Sequence, residues 1–446
     1  MKRNIISILI LLGIVALCNN ITYASKSDHN NSIELPVFGA MAEYDSDYPE
    51  PYDLTWDVLG PEGGHVYAIT QSPENPNEVY AALKGFPGPI CKSVDFGENW
   101  ERIGLVEGTA LNLSVDPVDS DIIYVTAGSK VLKTTDGGQS WNEYVFVNSE
   151  EDYYSNAPIS INPFNTNILF GIGHLITDNN NYRVVIFKSI NSGVDWEPFY
   201  LSDEYEFASG TTIVIDPNNP DIIYCGSFAM LEFAYIYKVF KSLDGGDNWN
   251  DISGNIDSTP SSIAVDPVNS ERVYVAAGIN IYRSTNGGND WSSYGEYLFA
   301  DEIAIDPVNT NIIYGTSMSR IYRSFDYGVT WELNEGIFDA DANGLVVNDS
   351  NNIIIGSDLG FYKSVDAGVN FTPQNSGIPA TIINSIEAAP SSPNVVYIQY
   401  GDFGLMKSMN YGDDWQSITS PPRCHNFSAL TVDRDDENLL HIIGGP

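Results

Sequence analysis

From residue 261 to residue 291 the chain alternates apolar and polar positions in short runs separated by turn formers. Ser262-Ile263-Ala264-Val265 has the period of two of a half-buried strand, and Arg272-Val273-Tyr274-Val275 and Ile281-Tyr282-Arg283-Ser284 follow it. Between the first two, Asp266-Pro267-Val268-Asn269 combines side-chain acceptors with a fixed φ, which is turn chemistry. Residues 285–290 close a hairpin and Trp291 opens a fourth strand. The unit is four short antiparallel strands.

The unit recurs. The stretch Ser/Thr-x-Asp/Asn-x-Gly-x-x-Trp/Phe occurs eight times, roughly 40 to 55 residues apart. Its acidic or amide position and its aromatic position are Asp95 and Trp100, Asp136 and Trp141, Asn191 and Trp196, and Asp244 and Trp249. They continue as Asn286 and Trp291, Asp326 and Trp331, Asp366 and Phe371, and Asn410 and Trp415. Four-stranded units at this period predict an all-β propeller of antiparallel blades over residues 54–446. Eight blades are expected; seven blades plus the start of a second propeller is the alternative. A ninth unit, with Leu430-Thr431-Val432 and Leu439-Leu440-His441-Ile442-Ile443, stops at Pro446, so the last blade is expected to be incomplete and the sequence a fragment of something longer.

Within the motif each residue type has a mechanical use. Glycine permits positive φ in the hairpin, the Asp or Asn oxygen accepts turn N–H groups, and Trp buries surface between sheets. Three of the eight copies carry Asn instead of Asp, which keeps the acceptor and drops the charge. A general acid or a calcium ligand would not survive that exchange, whereas a turn clasp does. A basic residue immediately precedes every copy (Lys92, Lys133, Lys188, Lys241, Arg283, Arg323, Lys363 and Lys407), its stem expected on apolar neighbours and its head near acids.

Charge narrows the partners. With 20 Lys+Arg against 59 Asp+Glu the formal net charge is −39, a surface that repels nucleic acid and anionic lipid. Lys2 and Arg3, the apolar run 5–17 and Thr22-Tyr23-Ala24 read as a signal peptide over residues 1–24, so the chain is expected to be secreted, at the cell surface or in a periplasm. Residues 25–53 read as a polar, flexible lead-in. Cys91, Cys225 and Cys424 allow one bridge, or none if they are buried thiols.

On these motifs the chain resembles the Asp-box, or BNR, repeat propellers: sialidases, sortilin-type receptors, photosystem II assembly-factor-like propellers and xyloglucan-cleaving two-propeller glycosidases. The resemblance covers residues 60–446 and implies a propeller, while the motif is shared by enzymes and non-enzymes. The sialidase pattern implies an arginine cluster; Arg183, Arg272, Arg320 and Arg423 lack its sequence context. The xyloglucanase pattern implies an aspartate in the first blade, where this chain has Ala81-Ala82-Leu83-Lys84-Gly85. No metal or cofactor is expected, because the five histidines are scattered and no phosphate loop or nucleophile motif is present. The function expected is a non-catalytic binding or scaffold module for an extracellular glycan or protein, with a glycoside hydrolase using paired carboxylates as the alternative. The third and fourth repeats carry extra residues, 176–182 and 228–234, expected as irregular loops, and Tyr153, Tyr154, Tyr205 and Phe207 nearby are the ligand-binding candidates.

Overall fold

In the computed structural model every regular element among the described residues is a β-strand, and apart from Tyr153–Tyr154, which pairs with Leu169–Ile176, the sheets pair antiparallel strands that are consecutive in the chain. The structure describes residues 64–445 apart from 86, 147–152, 155–158, 295–297, 336–340, 378–382, 401–403, 411–414, 419–424 and 435. The segments expected to be a signal peptide and a polar lead-in, together with Trp56 and Cys424, lie outside the described residues.

Seven sheets, at residues 66–106, 112–145, 160–200, 207–251, 260–294, 302–335 and 342–373, form blades 1 to 7. Each runs from inner to outer strand in chain order, and blade 3 gains a fifth strand from Tyr153–Tyr154. The second strand of most blades is buried along its whole length, as in Val273–Ala277, because neighbouring blades cover both its faces.

The ring closes at seven blades. The inner strand of blade 1, Val66–Gln71, lies against Ala342–Val347 and Ile353–Ser357 of blade 7. Val66, Val79, Phe96 and Trp100 share one core with Val346, Ile354 and Phe361. Trp100 stacks on Phe361 with centroids 4.0 Å apart, its backbone N–H donates to the Ser376 carbonyl (2.9 Å), and Lys363 Nζ reaches Glu98. The eight-blade expectation is thereby replaced by its seven-blade alternative. The eighth copy of the unit, residues 383–418, forms a further four-stranded sheet whose inner strand packs on the hairpin His425–Val432 and Leu440–Gly445, around Tyr397, Leu405, Leu430 and Val432.

Among the described residues no strand is exchanged at the closure, and besides the Trp100–Ser376 backbone bond side chains hold the blades together. Tyrosines of the second strands bridge forward: Tyr124 Oη donates to the Ser192 carbonyl, Tyr224 to Gly287 and Tyr274 to Tyr327. The basic residue before the motif runs beside an aromatic ring and in several blades also reaches the next one, whereas Lys92 pairs with Glu78 of its own blade. Lys133 Nζ donates to the Ser192 carbonyl (3.0 Å), Lys188 to Asp247 (2.8 Å), Lys241 to the Gly287 carbonyl (2.7 Å) and Arg323 to that of Ala367 (3.0 Å). The Lys133 and Lys241 ammonium groups lie 5.2 Å from the centroids of Tyr124 and Tyr224. The heads of Lys92, Lys188, Arg323 and Lys363 meet acids, as the sequence suggested, and those of Lys133, Lys241 and Arg323 also find carbonyls.

Candidate functional site

The eight motifs are turn clasps. In Ser93-Val94-Asp95-Phe96-Gly97-Glu98-Asn99-Trp100, Ser93 Oγ accepts the Gly97 N–H (2.8 Å) and donates to Asp95 Oδ1, which accepts the Asn99 N–H (2.9 Å). The copies starting at Thr134, Ser189, Ser242, Ser284, Ser324 and Ser364 repeat these bonds. The turn is then tied to the first turn of its own blade, as in Gly137 N–H to Asp121 O (3.1 Å). The aromatic residue packs on the preceding blade: Trp141 against Gly104, Trp196 against Phe146, Trp291 against Ile252.

The geometry also explains the Asp/Asn exchange. Where the third position is Asp, the seventh is a donor: Asn99 Nδ2, Ser140 Oγ, Asn248 Nδ2, Thr330 Oγ1 and Asn370 Nδ2 donate to the carboxylate at 2.6–2.8 Å. Where the third position is Asn, the polarity reverses. Asn191 Nδ2 donates to Asp195 and Asn286 Nδ2 to Asp290, both at 2.8 Å. One carboxylate and one donor are kept in each pair, and Asn410 with Asp414 continues the rule in sequence. Bonds from Ser140 and Thr134 hold the Asp136 carboxyl down at about 2. The compensating pair was legible in the eight aligned copies, had the seventh position been compared with the third.

The other carriers of chemistry are dispersed. Arg272 Nε pairs with Asp266 of its own blade (3.0 Å) and its guanidinium lies over the Tyr327 ring at 4.1 Å, while Arg183 pairs with Glu204 in blade 3. Cys91 and Cys225 are buried free thiols, and burial pushes both upward, Cys91 to about 12. The stretch Ala81–Leu83 in blade 1 is wholly buried strand.

Two surfaces remain. One is the axial cavity of about 540 Å³, walled by inner strands of six blades and by Thr70, Asn112, Ser114, Thr211, Thr212, Ser261, Ser262, Asp301 and Glu302. Its walls push the Glu302 carboxyl up to about 8 by desolvation. Asp301 accepts from Ser317 Oγ (2.6 Å). Nothing in the sequence distinguished Glu302 from the other acids.

The second surface carries two of the aromatic candidates, Tyr205 and Phe207. The extra residues of repeat four, 228–234, are not irregular but lengthen two strands about a two-residue turn, whereas in repeat three residues 177–181 form the expected loop between lengthened strands. In blade 3, Leu169–Ile176 pairs with Tyr182–Ser189, and in blade 4 Asn219–Leu231 pairs with Ala234–Ser242. The corresponding strands of blades 2, 5, 6 and 7 have five residues. Tyr153 and Tyr154 pair with Leu175 and His174, and Tyr205 bridges Tyr182. Phe207 stacks between Tyr182 (5.0 Å) and Phe228 (5.5 Å), with the buried His174 ring at 6.3 Å. Tyr235 and Tyr237, two residues apart on one face, hold their rings 6.2 Å apart and 6° from parallel. Phe207 is 37% exposed, Tyr235 61% and Phe233 89%. Tyr205 and Phe207 lie with Tyr182 at the end of blades 3 and 4, and the backbone of Tyr153 and Tyr154 joins blade 3 beside His174 and Leu175.

Compared with solved structures, this arrangement is a β-propeller. It is similar to the GH74 xyloglucanase from Xanthomonas campestris, at 14% identity and a TM-score of 0.58, covering 82% of this chain and 69% of that one. It is also similar to an ancestral GH74 enzyme, at 17% identity and a TM-score of 0.63, covering 85% of this chain and 58% of that one. At these identities the likeness is one of fold. No family model and no curated protein matches the chain. Among the described residues no helix is long and apolar enough to cross a membrane.

Proposed function

We propose that the chain is an exported, non-catalytic Asp-box propeller that binds an extracellular glycan or protein through the extended strands of blades 3 and 4. The observation that carries this reading is the aromatic patch in which exposed Phe207 packs on the half-buried rings of Tyr182 and Phe228, with exposed Tyr235 on the same blade. It is built on paired strands, so its rings are held in place before a ligand arrives, and rigid aromatics bury contact area at low entropic cost. The clasps, which hold most of the recurring acids, are committed to turns and leave none of their charge for catalysis.

The test is a glycan array, a panel of secreted proteins and a polysaccharide-hydrolysis screen, with Phe207→Ala beside the unaltered chain. Binding without turnover, weakened at least tenfold by Phe207→Ala, supports the reading. Release of reducing ends would overturn its non-catalytic part. One observation favours that second reading, a glycoside hydrolase. Glu302 keeps its proton at neutral pH, the state a general acid requires, and Asp301 lines the same cavity. Hydrolysis abolished by Glu302→Gln would then replace the first reading.

A further inference from the structure

The longest hairpin of the ring, Asn219–Leu231 with Ala234–Ser242, carries a feature its neighbours lack. In blade 4 the second strand is buried over Ile223–Ser227, as that of blade 2 is over Ile123–Ala127, but the strand itself continues to the exposed Leu231. Four extra residues lift the tip about 13 Å beyond the five-residue strands of blades 2, 5, 6 and 7. The outer strand of blade 4 does not follow. It pairs only Asp251 and Asn250 with Phe240 and Lys241. The last outward contacts are made by Val239, whose carbonyl accepts from the Ile252 N–H (2.9 Å) and whose N–H donates to Ser253 Oγ (3.0 Å).

Strand periodicity then fixes what lies above. Residues two apart point their N–H and C=O groups to the same side, so Tyr237 and Tyr235 direct theirs outward as Val239 does. Ile236, Lys238 and Phe240 spend theirs on the second strand, across from Ala229, Ser227 and Cys225. Among the described residues no strand pairs with Ala234–Lys238 on the outer side. Blade 3 meets the same problem and covers it: the Leu201 N–H donates to the Val184 carbonyl, and Tyr205 and Tyr182 exchange bonds at 2.8 and 2.9 Å. Blade 4 leaves its edge open.

The open stretch, Ala234-Tyr235-Ile236-Tyr237-Lys238-Val239, is rich in strand formers and has none of the prolines, inward charges or bulges that usually blunt an edge. Its tip is also costly to hold. Glu232 and Phe233 turn the hairpin at φ of 50° and 65°, where Asn-Gly is the usual solution, and Phe233 gains no burial in return. Exposed acids lie beside it at Glu206, whose N–H donates to the Met230 carbonyl, and at Glu232 in the turn itself. The nearby bases are engaged, Arg183 with Glu204 (2.9 Å) and Lys238 with Asp251.

We infer that the outer edge of residues 234–238 receives an extended, Lys- or Arg-bearing polypeptide segment as an added strand of blade 4. The inference rests on the reading that blades 3 and 4 carry the binding surface, and names the partner. An edge offers N–H and C=O groups at the repeat of a peptide, about 6.8 Å per two residues, which another strand matches in register. The aromatic faces of Phe233, Tyr235 and Tyr237 and the acidic rim both favour a cationic segment. A second copy of a chain with net charge −39 brings the wrong sign.

The experiment pans a random-peptide display library on the full chain and measures the enriched peptides on variants. Proline at position 237 removes one outward N–H and spares the ladder to the second strand, whereas alanine removes only the ring. Enriched peptides are expected to be basic, to weaken with salt and to protect the Tyr235 and Tyr237 amides from hydrogen exchange. They should lose at least tenfold in affinity on Tyr237→Pro and clearly less on Tyr237→Ala. Tyr235→Pro, nearer the tip, serves if Tyr237→Pro unfolds below the thermal midpoint of the parent chain.

Equal losses on Pro and Ala would overturn the inference, as would acidic or absent enrichment. A concentration-dependent dimer abolished by Tyr237→Pro would assign the edge to a second copy and overturn it too. A glycan bound in a Phe207-dependent way, with no edge-dependent peptide, refutes the added strand and leaves the blade 3–4 reading standing. Binding indifferent to every change on blades 3 and 4 refutes both.

Discussion

Replacing Phe361 by Ala tests how the ring is held shut. Phe361 is fully buried, and its ring stacks on Trp100, itself 5% exposed, across the junction of blades 7 and 1. Burial of a phenylalanine side chain contributes about 2–3 kcal/mol, and a stacked aromatic pair about 0.5–1.5 kcal/mol more. The expected loss is therefore about 3–4 kcal/mol, within the range for a buried Phe→Ala change. Phe187→Ala in blade 3 is the control, because Phe187 is equally buried and packs on Phe146 at 5.1 Å. The two sites differ in connectivity. Blades 2 and 3 follow one another in the chain, whereas blades 7 and 1 are far apart in sequence and share no strand among the described residues. Native-state hydrogen exchange should show Phe361→Ala deprotecting Val66–Gln71 and Ala342–Val347 through a local opening that leaves blades 3 to 5 protected. Phe187→Ala should not deprotect that junction selectively. Equal exchange at residues 66–71 in both variants would refute closure at seven blades by side chains.

Three further outcomes follow from the geometry. Asn286→Asp sets a second carboxylate against Asp290, where Asn286 Nδ2 now donates at 2.8 Å, and should cost about 1 kcal/mol at neutral pH in urea unfolding; adding Asp290→Asn should recover most of it. Asp136, held near 2 in the fold against about 3.9 unfolded, contributes stability that is complete above the unfolded value and lost as pH falls through 2, so Asp136→Asn should flatten the acid limb of a pH–stability curve. Glu302 has the opposite sign: its folded value of about 8 lies above the unfolded value near 4.3, so stability falls as pH rises between them. Glu302→Gln should gain about 1–3 kcal/mol at pH 7.5 and little at pH 4, read from paired urea midpoints.

The sequence by itself determined the local structure. Alternation and turn residues fix four strands per unit, and eight copies of the motif fix where the hairpins fall, because both are set by residues within a few positions of one another. Even the structural standing of the acids was legible, since Asn191, Asn286 and Asn410 replace them and Asp195, Asp290 and Asp414 compensate. Blade number was not legible. It depends on the wedge of side chains between adjacent sheets, and only packing of Val66 and Trp100 on Ile354 and Phe361 shows that the first blade meets the seventh. The patch on blades 3 and 4 has the same origin. Tyr153, Tyr154, Tyr205 and Phe207 looked like scattered aromatics in loops, and pairing with Leu175, His174, Tyr182 and Met230 sets them on blades 3 and 4. The open edge of residues 234–238 is tertiary as well. A strand's sequence gives its own hydrogen-bonding groups, but the reach of its neighbour decides whether they are satisfied.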